Sequence, residues 1–174
     1  MGDRCSCTLS IAGILKREHA GELAGALHYA DVDGFDDNIE KLTKAILEGQ
    51  TDYGFSEVNY AEMDPGVYNM LKALRLSFIW HNDEGEAFGA QNEYYDARTG
   101  EEAEFPLTGG EICLKISEID DADRVQAARN WERFEREMTL LVIESNHDLL
   151  AQEKKGAVPE GYIDILPLAD PAAA

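Results

Sequence analysis

The sequence predicts one α+β domain, an antiparallel β-meander sheet with helices packed on one face and a long C-terminal helix. Apolar residues alternate with period two between residues 76 and 116, and they recur at helical spacing after Asp120. No repeat and no linker rich in proline or glycine divides the 174 residues. Residues 1–155 are therefore expected to form the single domain, and residues 156–174 a C-terminal tail that is partly disordered.

The N-terminal part of the chain predicts a strand and two helices. RCSCTLSIAGIL alternates like a strand, and KREHAGELAGALHYA carries its alanines and leucines at helical spacing. A second helix is expected over residues 37–48, with Asp36 or Asp37 as its N-cap. The segment DVDGFDDNIE holds five acids, but registers that begin at Asp31 or Asp33 both lack the ligand pattern of an EF-hand. The acids therefore indicate a helix cap and not a calcium loop.

The middle of the chain predicts the meander. DYGFSEVNYA reads as a strand with a bulge near Ser56, because its apolar residues change phase there. DPGVYNMLKAL has Asp64 at the N-cap and Pro65 at the first position of a short helix. Four alternating segments follow, RLSFIWH, EAFGAQNEYY, EEAEFPL and ICLKISEI, with a hairpin turn at DARTG. The long helix is expected over residues 121–153, and YIDIL in the tail as a short extra strand.

Charge is the strongest signal in the composition. The chain has 35 acidic and 15 basic residues and a net charge of −20. Residues 31–64 hold ten acids and two lysines, and residues 81–123 hold thirteen acids and two basic residues. A field of this sign repels nucleic acid and anionic membranes and attracts basic proteins or cations. We therefore expect a cytoplasmic protein that binds neither nucleic acid nor a membrane.

No segment has the pattern of a catalytic site. The sequence contains neither a Gly-x-Ser-x-Gly elbow nor a phosphate-binding glycine-rich loop. One Glu-x-x-His pair, Glu144 and His147, falls short of the two such motifs and two further glutamates of a di-iron bundle. Three cysteines are too few for a four-ligand zinc site and are expected to be reduced: Cys5, Cys7 and Cys113. The sequence thus predicts no enzyme, no metal and no cofactor.

The spacing of the acids suggests what the charge is for. Carboxylates on one face of a strand repeat at roughly 6.6–7 Å. Successive charges on a DNA strand are 3.4 Å apart along the helix axis and farther apart along the winding backbone. Pairs with the strand spacing are Glu84 with Glu86 and Glu102 with Glu104. The acidic segments at residues 31–64 and 81–104 are therefore expected to form a phosphate-like surface together.

In size, net charge and charge clustering, the chain resembles the acidic DNA-mimic inhibitors of phages and plasmids, such as antirestriction and anti-CRISPR proteins. The resemblance covers about half of the chain and includes no diagnostic motif, so no residues carry over one by one. It implies an inhibitor that offers carboxylates as phosphate mimics to a basic nucleic-acid-binding protein or complex. The acids expected to bind this partner form a first and a second block: Asp31, Asp33, Asp36 and Asp37, then Glu84, Glu86, Glu101, Glu102 and Glu104.

Two other functions stay open at this point. One is an acidic, non-enzymatic interaction or adaptor protein that docks through an apolar face around Tyr94 and Tyr95. The other is a small-molecule-binding or enzymatic α+β domain. Dependence of binding on salt and competition by DNA separate the phosphate mimic from both alternatives.

Overall fold

A computed structural model of the chain describes residues 4–35, 38–59, 62–85, 89–109, 111–145 and 162–164. Short 3₁₀ turns lie at Arg17–His19 and Ile116–Glu118. The helices and strands, in chain order, are β1 (Arg4–Ala12), β2 (Ile14–Lys16), α1 (Ala20–Tyr29), α2 (Ile39–Leu47), β3 (Asp52–Asn59), α3 (Pro65–Ala73), β4 (Ser77–Asn82), β5 (Gln91–Asp96), β6 (Glu101–Thr108), β7 (Glu111–Ile112), α4 (Ala122–Ser145) and β8 (Tyr162–Asp164). Within these ranges, no helix has the length and apolarity needed to cross a membrane.

The main sheet is antiparallel and has six strands in the order β3-β1-β4-β5-β6-β7. Strands β4 to β7 pair in sequence order, which confirms the meander predicted between residues 76 and 116. Gly13, with φ of 139°, separates β1 from β2. Strand β2 pairs with β8 outside the main sheet, so the short extra strand expected in YIDIL is also confirmed.

The larger core lies between one face of the sheet and the helices α1, α2 and α3. Leu9 of β1 lies opposite Trp80 of β4, and Ile11 lies opposite Phe78, so these four side chains share this face. Each such side chain contributes about 1.5–3 kcal/mol when it is fully buried. The helices cover them with buried apolar residues: Leu23, Leu27, Leu42, Ile46, Val67 and Leu71.

The prediction that the helices pack on one face is wrong, because α4 packs on the other face. Tyr94 of β5 lies opposite Ile79 of β4. Both residues alternate with those that face the larger core, so their side chains lie on the opposite face of the sheet. The ring of Tyr94 lies 5.3 Å from that of Trp131 and 5.0 Å from that of Phe134. The sheet buries Tyr94 and Phe105 on this second face, and α4 supplies the apolar cover.

Several local predictions are confirmed. Cys5 pairs with Val58 and Cys7 pairs with Phe55, so β3 carries one extra residue next to Ser56, where the bulge was expected. Asp64 caps α3, since its carboxylate accepts a hydrogen bond of 2.7 Å from the amide of the second helical residue. The predicted long helix over residues 121–153 is not confirmed, because α4 is described from residue 122 to 145 and residues 146–153 lie outside the described residues.

Two local predictions are wrong. Asn38, and not Asp36 or Asp37, is the N-cap of α2, and its side chain accepts a hydrogen bond of 2.9 Å from the amide of Lys41. Asparagine caps a helix as well as aspartate does, so the helix keeps a favourable cap although it begins at residue 39, two residues after its predicted start. The strand expected across ICLKISEI ends at Ile112, because the following 3₁₀ turn leads the chain away from the sheet.

Candidate functional site

The helices α1–α3 leave part of their sheet face open over β5 and β6. Trp80 pairs with Glu93, and Glu93 pairs with Glu104, so both glutamates lie on the face of the larger core. Glu102 is two residues from Glu104 and shares this face. Glu102 and Glu104 are exposed, and Glu93 is half-buried. We call Glu93, Glu102 and Glu104 the glutamate triad.

The sheet fixes the spacing of the glutamate triad. Residues two apart on one strand, such as Glu102 and Glu104, are roughly 6.6–7 Å apart. Directly opposite residues, such as Glu93 and Glu104, have Cβ atoms about 4.5–5.5 Å apart, and the diagonal neighbour lies about 7–8 Å away. Because both strands belong to the interior of the meander, the three carboxylates are held as a two-dimensional array.

The three carboxylates repel one another. Burial raises the pKa of Glu93 above its ordinary value of 4.5, and the charges of Glu104 and Glu102 raise it further. Lys72 of α3 offsets part of this repulsion at one corner. Its Nζ donates a hydrogen bond of 2.7 Å to Glu102, and Tyr68 also donates to that carboxylate. These two donors lower the pKa of Glu102.

Among the residues that the structure describes, no cation forms an ion pair with Glu93 or Glu104. Arg124 lies near Glu104 but donates to its backbone carbonyl, at 2.7 Å, and its guanidinium lies over the ring of Phe105. Both contacts therefore leave the Glu104 carboxylate available. Two of the three carboxylates of the triad therefore form no ion pair with a described residue.

Glu101 belongs to the opposite face of β6. Its carboxylate accepts hydrogen bonds from the hydroxyl of Tyr94, at 3.0 Å, and from the side-chain amide of Asn130, at 2.9 Å. The bond from Asn130 joins β6 to α4, and the bond from Tyr94 joins β6 to β5. The structure thus separates Glu101 from Glu102 and Glu104, with which the sequence had grouped it.

The described acids of the first block lie beside β3, at the far edge of the sheet. Asp31 follows α1 with φ of 58°, and Asp33 donates its amide to the carbonyl of Gly54 at 2.8 Å. The carboxylate of Asp33 accepts a hydrogen bond of 2.8 Å from Ser56. Four strand spacings separate β3 from β6, which is roughly 19 Å. The two blocks therefore do not form one continuous cluster.

Glu84 is exposed in the segment that follows β4. With His81 and Asp83 it lines an open cleft of about 530 Å³ that reaches the end of β6. The structure does not bring Glu84 into the glutamate triad. Three predicted partner-binding residues lie outside the described residues: Asp36, Asp37 and Glu86.

Neither metals nor thiols offer a competing site in the described part of the chain. Among those residues, no group of three or more histidine, cysteine or acidic side chains could hold a metal ion. The sulfurs of Cys5 and Cys7 are 3.5 Å apart and share a hydrogen bond but no disulfide, and Cys113 is also a free thiol. Burial, with the hydrogen bond to Cys5, raises the pKa of Cys7, so this thiol stays protonated and unreactive at neutral pH.

The two tyrosines considered for an apolar docking face have packing roles. Tyr94 is buried under α4, and its ring is stacked at 6.5 Å from that of Phe105. Tyr95 is half-buried on the other face, 5.8 Å from the ring of Phe78, and Lys72 lies 4.9 Å over it. An apolar docking face centred on this pair is therefore not present.

Comparison with models of protein families, with curated proteins and with solved structures finds no match.

Glu93 is the site residue that the sequence did not indicate. It stands in QNEYYD, a strand whose polar residues outnumber its apolar ones, and no local pattern sets it apart. Its neighbours Glu102 and Glu104 lie across a hairpin. The relevant signal was the length of the turn, because turn length fixes the register and hence the residue opposite each glutamate.

Proposed function

We propose that this chain is a non-enzymatic inhibitor that binds a basic nucleic-acid-binding protein by presenting carboxylates in place of DNA phosphates. The observation that supports the proposal is the glutamate triad on the open face of β5 and β6. Glu93 and Glu104 form no ion pair with a described cation, although their mutual repulsion opposes folding. A surface that keeps charge repulsion at the expense of folding stability is typical of a binding site.

A rigid sheet suits this function because it fixes the charges before binding. A groove lined by lysine and arginine then meets carboxylates at strand spacing, without a loss of loop entropy. The net charge of −20 adds long-range attraction toward such a groove. Binding is expected to weaken with salt, since charges in solvent are screened over about 10 Å at 0.1 M.

Asp31, Asp33 and Glu84 extend the proposed interface beyond the triad. The first block lies roughly 19 Å from β6, which is about twice the screening length at 0.1 M salt. The two regions therefore contact different parts of one extended groove. Neutralising both regions is expected to reduce affinity additively, because sites this far apart couple weakly.

The experiment is capture of a partner from the source cell, followed by competition with duplex DNA. The triad variant replaces Glu93, Glu102 and Glu104 by glutamine. A matched control removes the same charge from exposed acids on α2, at its C-cap and on α4, by the changes Glu40→Gln, Glu48→Gln and Glu132→Gln. We expect DNA to displace the partner from the wild type, and the triad variant to bind at least tenfold more weakly than the control variant. Binding that persists in excess DNA and in both variants contradicts the proposal.

A second candidate function is an acidic adaptor that docks through apolar side chains. It is favoured by Ile116 and Ile119, whose exposed fractions are 88% and 57%, next to the 3₁₀ turn before α4. An apolar contact of this kind keeps its affinity at high salt. Loss of capture in Ile116→Ser with Ile119→Ser, with no effect of salt or DNA, identifies the adaptor function.

A further inference from the structure

A cavity of about 290 Å³ lies beside the first block, between the end of α1, β3 and the start of α3. Its floor includes the rings of Phe55 and Trp80, whose centroids are 5.2 Å apart, and its walls include Met63 and Val67. Binding sites for ordinary ligands begin at about 300 Å³, so this volume suits one side chain or a very small molecule.

The mouth of the cavity is acidic. Asp31, Glu62 and Asp64 line it, and no lysine, arginine or histidine is among its described lining residues. Asp64 is held by its capping bonds to α3. Asp31 and Glu62 form no ion pair within the described part of the chain. Tyr29 lines the same cavity with 82% of its surface exposed.

Aromatic and apolar walls with carboxylates at the mouth select for a cation on an apolar stem. A guanidinium group satisfies both parts, because its planar face stacks on an exposed ring such as that of Tyr29 and its N–H groups form a bidentate pair with a carboxylate. An ammonium group fits less well, since it is more strongly hydrated. The cavity also adjoins Asp31, so a groove that covers the first block passes over its mouth.

We propose that this cavity receives an arginine side chain of the basic partner. The inference rests on the proposed function and specifies how the partner is anchored: the triad meets the charged groove, and the cavity holds one inserted arginine. Interface anchors of this kind are often arginines in desolvated pockets. The proposed occupant is a side chain of the partner protein. Binding of a free small cation instead is one of the outcomes that the test distinguishes.

The test uses the full chain and a defined probe, arginine blocked as its Nα-acetyl amide, which resembles an arginine within a polypeptide. Titration is followed by NMR at the indole N–H of Trp80, with Trp131 on the other face of the sheet as internal reference. We expect a saturable shift at Trp80 alone. The blocked amide of citrulline has the same shape without the charge and should bind at least tenfold more weakly.

Two variants test the mouth without disturbing the core. Asp31→Asn keeps the φ of 58°, because asparagine tolerates this left-handed conformation. Glu62→Gln changes an exposed side chain. Each is expected to weaken binding of the blocked arginine about threefold to tenfold, and Glu40→Gln on α2 should leave it unchanged.

Several results overturn the inference. Equal binding of the citrulline amide, or unchanged affinity in both mouth variants, shows that the cavity does not select a cation. Tighter binding of free arginine than of the blocked amide assigns the cavity to a metabolite, since a partner's side chain has no free carboxylate beside it. If DNA still displaces the captured partner in these cases, the proposed function stands and only the arginine anchor is wrong.

Discussion

Replacing Glu93 by glutamine is expected to stabilise the fold at neutral pH. Glu93 is half-buried, lies directly opposite Glu104 and has Glu102 on the diagonal. Burial and these two charges raise its pKa above 4.5, so ionisation of Glu93 is more costly in the folded chain than in the unfolded one. Glutamine keeps the shape of the side chain and removes the charge.

The size of the effect follows from the geometry of the hairpin. Like charges directly opposite on an antiparallel pair destabilise it by about 0.2–1 kcal/mol, and Glu93 also has a diagonal neighbour. We expect a gain of about 1 kcal/mol at pH 7, or about 2–4 °C in Tm for a chain of this length. The sign depends on pH. Below pH 4.5 Glu93 is protonated in both states, so the variant gains nothing, and its advantage grows as pH rises through the raised pKa.

The assay is urea unfolding of wild type and Glu93→Gln at pH 7 and pH 4, each at low salt and in 1 M NaCl. The gain should shrink at pH 4 and in high salt, because protonation or screening removes the repulsion. Glu104→Gln should also stabilise, and the double variant should gain less than the sum of the single ones. A less stable Glu93→Gln at pH 7, or a gain independent of pH, refutes this account of the triad.

Three further substitutions test the fold around the site. Glu102→Gln should cost about 0.5 kcal/mol at pH 7, because Lys72 and Tyr68 stabilise the ionised Glu102. This cost should vanish in urea titrations as pH falls below 4.5 and through the lowered pKa of Glu102, and a cost that persists at pH 2 contradicts it. Trp131→Ala should cost about 3–5 kcal/mol and reduce near-UV circular dichroism, whereas a loss under 1 kcal/mol means that α4 is not docked on the second face. Gly13→Ala should lower Tm, since its φ is 139° and a Cβ would lie 2.7 Å from a methyl of Leu76; an unchanged Tm contradicts that close approach.

Local elements were predictable because their signals lie within a few residues. The phase change around Ser56 predicted the bulge of β3, and the Asp64–Pro65 pair predicted the start of α3. In each case the residues that determine the backbone conformation are neighbours in the sequence. The acidic character of the candidate interface was predictable for the same reason, since clusters of charge are visible without any fold.

The remaining features depend on pairing between distant segments. The stripe containing Trp131 predicts burial, but it does not say which sheet face α4 covers. That choice depends on Tyr94, whose side chain lies on the opposite face of the sheet from that of Trp80. The position of Glu93 opposite Glu104 likewise depends on the register of a hairpin. Alternation also predicted too long a strand after Glu111, because it records side-chain direction and not the presence of a pairing partner.

The place of β1 between β3 and β4 imposes an order on the synthesis of this protein. Strand β1 leaves the ribosome before either of its partners and has two edges of backbone N–H and C=O groups to pair, and its second partner, Ser77–Asn82, is translated last of the three. At ordinary elongation rates this leaves β1 incompletely paired for roughly 4–14 s. An unpaired apolar strand is an aggregation hazard on polysomes. The ten acids of residues 31–64 are translated within that interval, and their like charge opposes contact between neighbouring nascent chains.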